Sequence, residues 1–200
     1  MNRREALRNI GLGTGFVMLS SPLLTMLQGC TEARETWIPQ FLSVEEGQFL
    51  TRIVDIIIPK TEGLPSATEV NVPEFIDTYW NEVLLEDERK KQKQAISKMV
   101  ESVKFENNKE IGEISDEAYK EVLDVYILNK GDIDPQRDAN PNNSDFITDY
   151  ELLDGLKWMT INAYCASERV GENVLNYDPI PAQYYCGNLQ ELTGGRSNSL

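Results

Sequence analysis

Between Ser43 and Ala166, apolar residues recur at intervals of three and four, and no long window alternates apolar with polar residues. A period near 3.6 gives a helix one buried stripe, whereas a half-buried strand needs a period of two. The pattern restricts the chain to an all-α class: a single bundle of about five helices with a proline-bearing arm at its C-terminus.

Local signals divide the pattern into elements. Ser43 with Glu46 three residues on forms a capping box ahead of Phe49, Leu50, Ile53, Val54, Ile56 and Ile57, and Pro59 stops that helix. Thr61 to Val72 reads as a loop, and Pro73 suits the first turn of a second helix with the stripe Phe75, Ile76, Tyr79, Trp80, Val83 and Leu84. A charged third helix runs from about Glu86 to Phe105 over a narrow face of Ala95, Ile96, Met99, Val100 and Val103. Ser115 caps a fourth, with Tyr119, Val122, Leu123, Tyr126 and Ile127. A polar loop from Asn129 to Asn143 precedes a long central helix from about Ser144 to Ala166, and from Gly171 the chain reads as loop.

The first thirty residues carry a different message. Arg3 and Arg4 are paired, Leu7 follows, and a weakly apolar stretch from Ile10 to Leu27 ends in Gln28-Gly29-Cys30. The arginine pair with Leu7 makes a twin-arginine export signal, and a small residue before Cys30 makes a lipoprotein cleavage site. The competing reading is a retained transmembrane anchor, but Gly11, Gly13, Gly15, Ser20, Ser21 and Pro22 dilute the stretch. The expected organisation is a signal over residues 1–29, a tether over 30–40 and a helical domain over 41–200. The expected location is the periplasmic side of a bacterial membrane, held through lipid on Cys30.

Removing residues 1–29 from the 200 leaves 171 residues with 16 basic and 32 acidic side chains, a net charge of −16. Such a surface argues against nucleic acid, which binds through clustered Lys and Arg, and against adhesion to anionic headgroups. Histidine is absent, so no His-dependent triad, His-ligated haem or His-ligated zinc site can be built from this chain. The cysteines other than Cys30 are Cys165 and Cys186, without a CxxC. In an oxidising compartment these two are either a disulfide or two separate thiols.

Two clusters invite a site reading. Asp132, Asp134 and Asp138 alternate like the start of a calcium loop, but Arg137 and Asn143 stand where Gly and Glu are needed, so a solvated loop is the better reading. Glu168, Glu172, Tyr177, Asp178 and Tyr184 gather near the C-terminal arm without a visible nucleophile–base pair. No catalytic, cofactor or metal residue is assigned. The arm Tyr177-Asp178-Pro179-Ile180-Pro181 through Tyr184-Tyr185 is either a partner interface or a seal over the bundle, because tyrosine serves both uses.

Three stretches of the chain are similar to one known family. They are the leader with Arg3 and Arg4; Phe41-Leu42-Ser43 through Ile56-Ile57-Ile58-Pro59-Lys60-Thr61 to Val72-Pro73-Glu74-Phe75-Ile76-Asp77; and Gly171 with Leu175-Asn176-Tyr177-Asp178-Pro179-Ile180-Pro181 and Tyr184-Tyr185-Cys186. Together they resemble the gluconate 2-dehydrogenase subunit 3 family. The resemblance implies a non-catalytic partner of a large FAD-bearing subunit of the glucose–methanol–choline class, in complexes that often include a cytochrome c. It also implies that the small subunit carries the large one across the membrane. The lipobox at Cys30 is not general in that family. The alternative reading is a stand-alone envelope lipoprotein that binds or scaffolds other proteins.

Overall fold

A computed structural model describes residues 37–128, 134–178 and 186–199. Arg3, Arg4, Leu7 and Cys30 lie outside the described residues, as do Pro179, Pro181, Tyr184 and Tyr185. The described residues are all-α: α1 Val44–Ile57, α2 Val72–Glu82, α3 Glu86–Asn107, α4 Asp116–Leu123, α5 Pro135–Ala139, α6 Asp149–Ala166, α7 Glu168–Asn173 and α8 Leu189–Thr193. Among them the only strand-like pairings are isolated bridges, Thr61 with Leu64 and Asn176 with Asn198.

Helix α1 is the centre of the bundle. The Ser43 hydroxyl accepts the Glu46 N–H at 3.2 Å, and the Glu46 carboxylate accepts the Ser43 N–H at 2.7 Å, which closes the expected capping box. Phe49, Leu50, Ile53 and Val54 are fully buried. Around them α1 packs against α2, α3, α4 and α6. Burying a side chain of this kind stabilises by about 1.5–3 kcal/mol, so each residue of this stripe contributes substantially to the core.

Helix α3 buries the expected face of Ala95, Ile96, Met99, Val100 and Val103. It ends at Asn108, whose φ of 49° places it in the left-handed region. Helix α4 starts at the Ser115 cap and runs on into a π-helical turn, Asp124–Leu128. Tyr119 sits beneath α1 with its hydroxyl donating to the Ile111 carbonyl at 2.9 Å, and burial pushes its pKa up.

Three expectations are corrected. The long helix begins at Asp149 rather than near Ser144, because Thr148 and Glu151 form a second capping box, with N–H···O distances of 3.1 and 3.0 Å. The polar loop contains a short helix, α5, started by Pro135 behind an Asp134 cap. The segment after Gly171 is not all loop, since α7 extends to Asn173 and α8 lies in the arm.

Candidate docking surfaces

Helix α2 carries two kinds of chemistry on adjoining faces. Val72, Pro73, Ile76, Asp77 and Trp80 face the core. Asp77 is fully buried, and its carboxylate accepts the backbone N–H groups of Gln40 at 2.7 Å, Phe41 at 3.1 Å and Leu42 at 2.9 Å. Three donors satisfy a charge that burial would otherwise penalise heavily. Phe41 stands edge-on to Trp80, with ring centroids 6.2 Å apart. The Lys93 ammonium donates to the Phe41 carbonyl at 3.1 Å and lies 5.5 Å from the Phe41 ring centroid. The segment that leads into α1 is thus pinned to the core over three consecutive residues.

Lys93 also pairs with Glu46, which in turn accepts from the Ser97 hydroxyl. Burial pushes the Glu46 carboxyl up. Lys93, Ser97 and the Ser43 amide outweigh that and hold it below its ordinary value of 4.5. This network ties α1 to α3.

The outward side of α2 overturns part of the expected stripe. Phe75, Tyr79 and Val83 are 52%, 36% and 58% exposed. The Phe75 and Tyr79 rings stack with centroids 6.2 Å apart. Eight apolar residues in the stretch 72–84 cover too much of one helix for a bundle to bury from one side, and that excess is the signal the periodicity contained. Asp77 was likewise missed as a structural acceptor, although an acid between Ile76 and Trp80 marks a polar need inside an apolar face.

The described parts of the C-terminal arm are exposed. Tyr177 is 48% exposed, Asp178 is exposed, and Leu189 and Leu192 of α8 are more than half exposed. The arm is closed at its base: the Asn176 N–H donates to the Ser197 carbonyl at 2.8 Å, and the Ser199 N–H donates to the Asn176 carbonyl at 2.9 Å. Glu168 and Glu172 are exposed on α7. Cys165 is half-buried, Cys186 is exposed, and both are free thiols.

Asp134 has a defined partner set. Its carboxylate caps α5 through the Gln136 and Arg137 amides at 3.0 and 3.1 Å and accepts from the buried Thr148 hydroxyl. Arg137 reaches across with two bonds to Glu151 at 2.8 and 2.6 Å. That contact, above the opposing effect of burial, holds Glu151 below its ordinary value. The acidic stretch therefore staples α5 to the start of α6. Among the described residues no group of His, Cys, Asp and Glu is arranged to hold a metal ion. A shallow groove of about 440 Å³ lies beside the loop at Lys60–Pro65 and α7, with Lys60, Glu69 and Arg169 among its walls. Lys60 and Glu69 pair across it at 2.7 Å.

The described residues thus form a small α-helical bundle that leaves several large apolar side chains on its surface. Residues 44–182 match the family described as gluconate 2-dehydrogenase subunit 3, and the chain belongs to that family. The match spans α1 to α7 and runs into the arm. No curated protein and no solved structure matches the chain.

Proposed function

We propose that this chain is the non-catalytic accessory subunit of a flavin-dependent alcohol or sugar dehydrogenase complex. In this reading it brings the large FAD-bearing subunit through the twin-arginine route and tethers it to the membrane. The observation that carries the proposal is membership of the subunit 3 family over residues 44–182, joined to the Arg3-Arg4 leader. Flavin belongs to the large subunit, and complexes of this kind often include a cytochrome c subunit as well.

The geometry suits a tether. In this reading Cys30 carries the lipid at the start of the tether over residues 30–40, and the end of that tether is held where Gln40, Phe41 and Leu42 hydrogen-bond to Asp77. Tension from the membrane would reach the core through those bonds rather than through the end of α1. Two or more acyl chains on Cys30, at about 0.8 kcal/mol per buried methylene, give durable attachment.

The experiment replaces Arg3 and Arg4 together with Lys and follows the flavin subunit. Its retention in the cytoplasm supports the carrier role, and its full arrival in the periplasm refutes it. In parallel, Cys30→Ser should release the domain or leave an uncleaved precursor. Recovery of a cleaved Ser variant bound to membranes as firmly as wild type would refute the lipid tether.

A further inference from the structure

We propose that the outward strip of α2, Phe75 and Tyr79 with Val83 just beyond the helix, is the docking surface for the large subunit, which meets it with an apolar patch bordered by Lys and Arg. The inference rests on the subunit reading above and adds the place and the chemistry of contact.

Phe75, Tyr79 and Val83 follow one another at intervals of four, so they form a line along one side of the helix and its end. Two stacked aromatic rings left more than a third exposed are costly surface for a subunit with its own filled core. Aromatic anchors of this kind dominate binding energy at protein interfaces.

The charge around the strip narrows the occupant. From Thr61 through Glu88 the chain has no basic residue, while the exposed Glu82 and Asp87 follow the strip in sequence. The first basic side chains beyond it are engaged by other groups. Arg89 donates to the Asn81 carbonyl at 2.9 Å, Lys90 pairs with Glu86 at 2.7 Å, and Lys91 donates to the Ser144 carbonyl at 2.6 Å. The stretch of chain that carries the strip is therefore acidic. A second copy docking by a two-fold axis would set acid against acid. A bilayer with anionic headgroups would be repelled. A partner surface with an apolar centre and a basic border is complementary on both counts.

The test uses the full-length chain, tagged and expressed in its own cell. A photoreactive phenylalanine analogue is placed at Phe75 or at Tyr79, and at the exposed Phe105 on α3 as a control. After irradiation the cross-linked species are identified by mass spectrometry, and the same preparation is assayed for bound flavin. The proposal expects cross-links from positions 75 and 79 to the flavin-bearing subunit, close to its Lys or Arg residues, and none from 105. It expects Phe75→Ser with Tyr79→Ser to leave the melting temperature nearly unchanged while lowering co-purified flavin at least tenfold. Cross-links only to a second copy or to lipid would overturn it. So would loss of folding in the double variant, because the strip would then be internal packing. If wild type retains the flavin subunit and the double variant retains it equally, the strip is wrong and the subunit reading stands. If wild type retains no flavin subunit, the subunit reading itself falls, and the docking proposal falls with it.

Discussion

Asp77, in the middle of α2, accepts the backbone N–H of Leu42 at 2.9 Å across 35 positions of sequence. The same carboxylate holds Phe41 and Gln40. Asp77→Ala would leave the buried Leu42 amide without its acceptor, at a cost of about 1–3 kcal/mol for that group alone. The variant should melt lower, and amide exchange at residues 40–42 should accelerate well before global unfolding. Unchanged exchange at Leu42 would show that the segment is held by the Phe41–Trp80 contact instead.

Glu46 predicts a pH dependence. A carboxyl held below its ordinary 4.5 loses its proton more readily in the folded chain than in the unfolded one. Its contribution is therefore complete above that ordinary value and is lost as pH falls through the lower folded-state value. Glu46→Gln should cost about 1–3 kcal/mol at neutral pH, through the weakened bonds to Lys93 and Ser97. It should also make stability less sensitive to acid. Urea unfolding of both proteins from neutral pH down to about pH 3 measures this, and parallel acid limbs would contradict it.

Arg137 and Glu151 make a two-bond pair, and Arg137 also donates to the Phe146 carbonyl at 3.1 Å. Lysine cannot reproduce that fork. Arg137→Lys should loosen α5 and the approach to α6 while leaving α1 to α4 protected. Hydrogen exchange read by segment checks this: faster exchange over residues 134–148, and none elsewhere, is the expected pattern.

The arm is tested at its described leucines. Leu189→Ser with Leu192→Ser should change stability by no more than about 0.5 kcal/mol per site, as exposed substitutions do. Tyr184→Ala with Tyr185→Ala asks the same of the segment beyond the described residues. If the arm is an interface, both double variants keep their melting temperatures and lose partner. If it seals the bundle, they melt several degrees lower before any partner is present.

The helical class, the Ser43 and Ser115 caps and the α3 stripe were legible because each depends on residues within one or two turns. The start of α6 was misplaced because Phe146 and Ile147 continue the apolar pattern, while the true boundary is set by Thr148 and Glu151 bonding to each other. The two sides of α2 were not separable, since Ile76 with Trp80 and Phe75 with Tyr79 show the same spacing. Only the position of α1, α3 and α6 decides which pair is covered. Asp77 was opaque for a related reason, as its partners lie 35 to 37 residues away.

The most direct measurement is purification of the tagged full-length chain from membranes of its own cell, with flavin absorbance and mass spectrometry on the same sample. A large flavin-bearing dehydrogenase subunit in fixed ratio to this chain, still present after stringent washing, is the predicted result. A chain recovered alone, free of flavin and still lipid-anchored, would contradict the account.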